Sequence, residues 1–200
     1  MLSEHYTVVV ASPKGGVTFP DPDSVEGWVS QRKEASSIDF YQTKKAVWEN
    51  TVPVRTLAGR SGDFIAVFVA GGHGPMFDLA TDADVQALLA EFYDSGKPVT
   101  AVCAGVSALT GVVLADGSSI LAGKTVTGLS KAELATLPGF TEVMPFLLED
   151  RLRERSGAYV TADEVWGPKV VVDGRLITGE NPASAKGAAE ALVKLLAETS

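Results

Sequence analysis

Cys103, the only cysteine among the 200 residues, is the side chain whose type and position most directly suggest chemistry. It follows directly after residues 98–102, a short apolar run that predicts a buried strand, and a helix is expected to start beside it. A thiol between a strand and a helix sits on a sharp, strained turn, as in a nucleophile elbow. The helix N-terminus is expected to lower its pKa. We therefore predict that Cys103 is a nucleophile, the alternative being an inert, small apolar side chain.

A second segment with chemical potential is Ala-Gly-Gly-His-Gly-Pro at residues 70–75, which follows the apolar run 64–69. The backbone N–H groups of Gly71 and Gly72 can approach a reacting atom closely, as an oxyanion hole requires. In an open parallel sheet the ligand crevice lies beyond the carboxyl ends of the strands. We therefore expect these glycines to lie beside Cys103. The alternative is that the glycine pair only forms a turn.

The elements that would position these residues alternate between apolar strands and amphipathic helices. The predicted strands are residues 6–11, 64–69, 98–102 and 125–127, with a hairpin of 169–172 and 175–178 around Asp173-Gly174. The predicted helices are residues 38–50, 82–95, 141–155 and 182–199, and residues 17–37 are predicted to form a long surface loop. Asp82 or Thr81 can cap the second helix at its start and Gly96 at its end, and Asn181 can cap the last. This alternation predicts one α/β domain, residues 1–200, with a largely parallel sheet.

Composition and charge argue against several classes of function. The formal net charge of −8 and the pI near 4.8 disfavour nucleic acid or an anionic membrane as a partner. No apolar run approaches the roughly 18 residues that a membrane-spanning helix needs. One cysteine and two histidines exclude an internal disulfide and leave little for a metal site, so no metal or other cofactor is expected. The first residues resemble no signal peptide, so we expect a cytoplasmic location.

Four stretches, in the right order, give the chain a family resemblance. Residues 67–79 (VFVAGGHGPMFDL) and 101–105 (AVCAG) resemble the ThiJ/PfpI superfamily, which includes the parkinsonism-associated deglycase. Residues 145–152 and 173–184 are similar to its branch of heat-shock chaperones with glutathione-independent glyoxalase (glyoxalase III) activity. The resemblance implies a flavodoxin-like three-layer sandwich with a mostly parallel sheet and a C-terminal β-hairpin, usually a homodimer.

The resemblance also implies a reaction. In such enzymes the thiolate attacks the aldehyde of methylglyoxal to give a hemithioacetal. A base then moves a proton between the two carbons, and hydrolysis releases lactate. Here the thiolate would be that of Cys103, and the partner would be a small aldehyde.

Two expectations follow from a departure beside the cysteine. The glyoxalase III branch typically has histidine directly after the cysteine, whereas this chain has Ala104. Loss of a general base commonly costs about 10²–10⁴ in rate. The Cys-Ala-Gly form resembles the deglycase branch, where a later histidine lies near the site, but no histidine follows His73 here. His73 could carry the proton instead, the alternative being packing within its loop. Glu133 falls about where that branch has its acidic third member, the alternative being a surface helix residue.

A second departure concerns the start of the chain. The family begins with another strand and helix, including a glutamate that hydrogen-bonds the cysteine, before the segment that matches residues 6–16. No carboxylate matches that glutamate here, since Glu4 is too early and in the wrong element. A missing central strand would leave backbone groups unpaired and apolar surface bare. A truncated start, replacement by another segment and completion by a partner chain are open, and we favour the first.

These considerations define the expected site. Its catalytic members are Cys103, His73 and Glu133, and its substrate- or oxyanion-binding members are Gly71, Gly72, Ala104, Trp166 and Asn181. Trp166 could cover the mouth of the pocket, with packing as the alternative for it and for Trp28 and Trp48. Asn181 could position the substrate in addition to capping its helix.

The leading hypothesis for function is therefore a cysteine-dependent, glyoxalase III-like conversion of methylglyoxal or related aldehydes to 2-hydroxy acids, slowed by Ala104 and the missing glutamate. The alternative is a non-enzymatic stress protein, either a holdase with exposed apolar surface or a thiol sensor of oxidation. A glutamine amidotransferase is rejected, because its triad needs a His-x-Glu pair after Cys103 and none follows.

Overall fold

A computed structural model describes residues 2–22, 25–26 and 35–199. It divides into two compact units: residues 3–56, and residues 57–200 together with the first two residues. Residues 23–24 and 27–34 of the predicted 17–37 loop, including Trp28, lie outside the described residues. Within the described part, no helix is long and apolar enough to cross a membrane.

The unit of residues 3–56 contains only short elements. Its two strands, β1 (Ala11–Ser12) and β2 (Val52–Pro53), pair in parallel. Its helices are Ala35–Thr43 and Ala46–Glu49, and helix Leu2–His5 begins just before it. The strand predicted over residues 6–11 is therefore wrong except at its last residue, because parallel pairing with β2 begins only at Ala11, where the Val52 N–H donates to the Val10 carbonyl oxygen at 2.9 Å. Trp48 packs on Tyr41, with ring centroids 5.7 Å apart and nearly parallel planes.

The larger unit is built on a four-stranded sheet in the order β3-β4-β8-β7. Its strands are β3 (Val67–Val69), β4 (Val99–Val102), β7 (Val170–Asp173) and β8 (Leu176–Gly179). β3, β4 and β8 run in parallel, and β7 is antiparallel to β8. Two further strands, β5 (Thr125–Val126) and β6 (Ala158–Tyr159), form a separate parallel pair. The predicted α/β class, the mostly parallel sheet and the hairpin are confirmed.

The helices of this unit are Ala83–Asp94, Lys131–Leu134, Phe140–Val143, Leu148–Arg155 and Ala185–Thr199. Its short 3-10 helices cover Ser61–Asp63, Gly74–Met76, Cys103–Gly111 and Pro182–Ser184, and a further 3-10 helix, Val54–Leu57, lies at the boundary with the smaller unit. The helix predicted over residues 141–155 is interrupted at residues 144–147, because Pro145 has no N–H to donate to a helical hydrogen bond.

Helix Ala83–Asp94 shows how local sequence signals and burial agree. Asp82 caps its start by accepting a hydrogen bond from the Val85 N–H at 2.9 Å, as predicted. Gly96, with φ +83°, lies in the left-handed region just beyond the helix end. The predicted apolar stripe is buried at Val85, Leu88, Leu89 and Phe92. Each such side chain stabilises the fold by about 1.5–3 kcal/mol. Helix Ala185–Thr199 packs on β4, β7 and β8.

Candidate active site

The register of two neighbouring parallel strands brings Cys103 and Glu180 to one edge of the sheet. Val102 is the last residue of β4 and lies opposite Gly179, the last residue of β8. Cys103 and Glu180 are therefore the first residues beyond the ends of two adjacent strands. The carboxyl ends of parallel strands are where ligands bind in open α/β sheets.

The glycine loop after β3 is in direct contact with the turn at Cys103. A β-carbon at Gly71 would lie 2.8 Å from the Cys103 Cβ and 2.9 Å from the Val102 carbonyl oxygen. A β-carbon at Gly105 would collide with the carbonyl oxygen of Ala70. Both glycines are therefore required by close approach of two backbone segments, which an ordinary turn would not demand.

Cys103 itself sits on a strained turn. Its φ of +58° is in the left-handed region, which costs a residue other than glycine about 1–2 kcal/mol. The 3-10 helix Cys103–Gly111 begins at this residue. The backbone N–H groups of Gly72 and Ala104 lie close to its sulfur and favour its ionised form. The predicted sharp turn after the strand is confirmed.

The acidity of the thiol is opposite to the expectation from sequence. Cys103 is only 6% exposed. Burial raises its pKa to about 11, the nearby negative charge of Glu133 adds to the rise, and the two backbone N–H groups oppose it. The predicted lowering of the pKa is wrong, because desolvation of a buried thiolate outweighs the N–H donors. At neutral pH the resting group is a thiol.

Glu133 lies inside the protein rather than on a surface helix. Its side chain is fully buried. One carboxylate oxygen accepts from the Ser130 N–H at 3.0 Å, and the other accepts from the Asn181 amide at 2.7 Å. The surface alternative is therefore wrong. The spacing of Ser130 and Glu133 is that of a capping box, which the structure forms, but a capping box carries no information on burial.

Asn181 has a protein partner for each hydrogen bond that its side chain can make. The carbonyl oxygen accepts from the N–H and the hydroxyl of Ser184, at 3.1 and 3.0 Å. The amide nitrogen donates to Glu133 at 2.7 Å and to the carbonyl oxygen of Gly167 at 2.6 Å. The predicted helix cap is confirmed, and no donor or acceptor of this buried amide is left for a substrate.

Trp166 and His73 both contact the segment that follows Glu133. The Trp166 indole N–H donates to the Thr136 hydroxyl at 3.0 Å, and Trp166 adopts a left-handed φ of +66°. The His73 ring packs on Phe140, with centroids 4.4 Å apart. Both side chains are partly exposed. This contact packs His73 against a residue outside its own loop, so its role in proton transfer stays a prediction.

Glu180 is a buried carboxyl group that sequence reasoning missed. It is 2% exposed, and one oxygen accepts from the Ala162 N–H at 2.6 Å. Burial raises the pKa of Glu180, and the charge of Glu133 raises it further. Its place directly after a predicted strand was the available signal. The parallel pairing of β8 with β4, which sets it beside Cys103, could not be predicted from the hairpin alone. No group of three or more metal-ligating side chains occurs among the described residues.

A cysteine at the end of a strand, in a left-handed turn and contacted by a glycine loop, defines an α/β protein of the nucleophile-elbow type. The chain belongs to the DJ-1/PfpI family, whose family model matches residues 41–195. The family resemblance inferred from the four sequence stretches is thereby confirmed.

The named relatives include glyoxalases and a glutamine amidotransferase-like protein. The chain is 33% identical over 137 residues to a probable glutathione-independent glyoxalase of Schizosaccharomyces pombe, a match that covers 67% of this chain and 62% of that protein. It is 34% identical over 197 residues to human glutamine amidotransferase-like class 1 domain-containing protein 1, covering 98% of this chain and 83% of that one. Matches to two other curated relatives span 52% and 58% of their lengths.

Solved structures give the same fold. Glyoxalase III from Candida albicans superposes with a TM-score of 0.81 at 26% identity, covering 96% of this chain and 82% of that one. The Rapid Encystment Protein 24 KDa of Francisella tularensis gives a TM-score of 0.82 at 32% identity, covering 94% and 80%. The predicted flavodoxin-like fold is confirmed by these likenesses.

Proposed function

We propose that this chain is a glutathione-independent glyoxalase that converts methylglyoxal or a related small 2-oxoaldehyde to the 2-hydroxy acid through Cys103. The observation that carries the proposal is the pair of N–H donors, from Gly72 and Ala104, aimed at a strained strand-end sulfur. Relatives named as glyoxalases support it.

The reaction balances without an external oxidant. The Cys103 sulfur adds to the aldehyde carbon, and the carbonyl oxygen takes up the proton to give a hemithioacetal. A base then removes the C1 proton and a proton is returned at C2, so that C1 is oxidised to a thioester while C2 is reduced to an alcohol. Water cleaves the C1–S bond, which releases the 2-hydroxy acid and regenerates the thiol.

The N–H groups of Gly72 and Ala104 would stabilise negative charge at the reacting centre. They first offset the charge on the sulfur as the thiol loses its proton. They can then hold the oxyanion that forms when sulfur attacks the aldehyde, which is the role of an oxyanion hole.

Because the pKa of Cys103 is raised, the reaction needs a group that accepts the proton of the thiol. We assign this role to Glu133, because its charge acts on the thiol and each carboxylate oxygen has lone-pair capacity beyond its one hydrogen bond. His73, on the loop beside Gly72, is the second candidate. The absence of histidine at position 104 predicts a lower rate than in enzymes that have it.

The raised pKa disfavours the competing role as a thiol sensor. Oxidation begins from the thiolate, so a sensor cysteine needs a low pKa and access to solvent. Cys103 has neither, since burial raises its pKa to about 11.

The decisive experiment measures lactate formation from methylglyoxal without glutathione, with wild type compared with Cys103→Ser. We expect turnover by wild type and its loss in the variant. Glu190→Gln on the exposed face of the last helix is a matched control that should leave turnover unchanged. A folded wild-type protein that forms no lactate would refute the proposal.

We also propose that the protein acts as a cytoplasmic homodimer, as the family resemblance implies. Light scattering coupled to size-exclusion chromatography would give its mass in solution, and twice the 20.9 kDa chain mass is expected.

A further inference from the structure

Three side chains in residues 180–184, the segment that follows β8, form hydrogen bonds with the backbone of residues 162–169. Glu180 accepts from the Ala162 N–H at 2.6 Å, Asn181 donates to the Gly167 carbonyl oxygen at 2.6 Å, and Ser184 accepts from the Lys169 N–H at 3.0 Å. Glu180, Asn181 and Ser184 are all buried. The turn at Trp166 and Gly167 is therefore held to the end of the central sheet by these side-chain bonds, in addition to the backbone bond from the Glu180 N–H to the Lys169 carbonyl oxygen at 3.0 Å.

Helix capping accounts for only two of the four hydrogen bonds that the Asn181 side chain makes. Capping uses its carbonyl oxygen, which accepts from Ser184. Serine, threonine and aspartate cap helices about as well as asparagine. Only asparagine among these also offers two amide hydrogens, and both are used, one on Glu133 and one on Gly167.

The two acceptors of the amide connect different parts of the site. Glu133 is 48 residues away in sequence, and its charge raises the pKa of Cys103. Gly167 follows Trp166, whose left-handed φ of +66° is a strained conformation that its surroundings must hold. The Trp166 indole is bonded to Thr136, three residues beyond Glu133. One amide therefore ties the carboxylate near the thiol to the strained turn.

We propose that Asn181 is a positioning residue, whose amide fixes the Glu133 carboxylate relative to Cys103 and holds the Trp166–Gly167 turn in one arrangement. The proposal deepens the proposed function, since it rests on the same site. Its test uses the chemistry of the single thiol and not aldehyde turnover, so the two can fail separately.

The test is a double-mutant cycle with Asn181→Ser and Glu133→Gln in the full chain. Serine keeps a capping oxygen but removes both amide donors. The measured quantity is the rate of Cys103 alkylation by iodoacetamide between pH 7 and 11, followed by mass spectrometry. The single cysteine makes the signal unambiguous.

We expect Asn181→Ser to change the alkylation rate at pH 8 by at least about twofold in the wild-type background. In the Glu133→Gln background, where no carboxylate remains to be positioned, we expect much less change. Equal changes in the two backgrounds would overturn the proposal, because a purely structural role is additive. Ser184→Ala, which leaves the amide donors in place, is the matched control and should be additive with Glu133→Gln.

A spectroscopic measurement tests the second half of the proposal. The indole N–H signal of Trp166, assigned with Trp166→Phe, should shift in the ¹H–¹⁵N spectrum of Asn181→Ser. An unmoved signal would show that the amide does not hold the turn. Asn181→Asp, which keeps the side-chain volume and the capping oxygen, replaces the serine variant in both measurements if that variant does not fold.

Discussion

Gly71 packs against Cys103 so closely that a β-carbon at position 71 would lie 2.8 Å from the Cys103 Cβ. The glycine loop after β3 and the turn after β4 are thus one unit, in which the Gly72 N–H reaches the Cys103 sulfur. The geometry of the thiol therefore depends on the absence of a side chain in the loop that follows the neighbouring strand β3.

Gly71→Ala is therefore expected to lower the free energy of unfolding by about 1–3 kcal/mol, because the new methyl group overlaps backbone and Cys103 atoms. Urea denaturation followed by circular dichroism measures the change. Gly74→Ala in the same loop, where a β-carbon would meet nothing within 4 Å, should cost no more than about 0.5 kcal/mol. Equal losses in the two variants would contradict this account of Gly71.

The raised pKa of Cys103 predicts an unusual pH profile of alkylation. With a pKa of about 11, only about one thiol in ten thousand is ionised at pH 7, so the rate should rise about tenfold per pH unit up to about pH 11. Glu133→Gln removes the negative charge that adds to this rise and should shift the profile to lower pH. A wild-type rate that reaches its plateau near pH 8 would show that the thiol is activated in solution.

The buried carboxyl group of Glu180 predicts a pH-dependent stability difference. Its pKa is raised in the folded state, so its contribution to stability is present at low pH and is lost as pH rises through the folded-state pKa. Glu180→Gln, similar in shape but unable to ionise, should therefore gain stability relative to wild type between pH 4 and pH 7. Thermal unfolding at both pH values measures this.

The control for that prediction is Glu190→Gln, an exposed position whose carboxylate lies 3.8 Å from Lys186. It should show little change in relative stability over the same pH range, because exposed pairs of this kind contribute little. If Glu180→Gln were less stable than wild type by more at pH 7 than at pH 4, the buried-acid argument would fail.

The identity of the proton acceptor is open to a direct comparison. Glu133→Gln should lower kcat/KM for methylglyoxal by about 10²–10⁴, the usual cost of removing a general base. His73→Phe keeps a ring to pack on Phe140 and should lower it by less than about tenfold. The opposite order of effects would assign the proton transfer to His73.

Much of the local structure of this protein could be predicted from its sequence alone. The apolar run before Cys103, the Asp173-Gly174 turn and the caps at Asp82 and Asn181 are local signals, and each forms as predicted. Local signals failed where an element needs a distant partner. Residues 7–10 have the composition of a strand but lie outside any strand, and Val8 and Val9 remain about half exposed.

The chemical character of the site was decided only by the tertiary structure. A helix start beside Cys103 argues for a low pKa, but the pKa is raised because burial depends on every element packed around the sulfur. Glu133 and Asn181, 48 residues apart, meet at 2.7 Å because separate elements bring them together in the interior. The sequence by itself predicted the position of the thiol at the end of a strand. Three-dimensional packing determined the protonation state of the thiol and which residues influence its pKa. Neither could be predicted from local spacing, because desolvation and long-range contacts depend on residues that are distant in sequence.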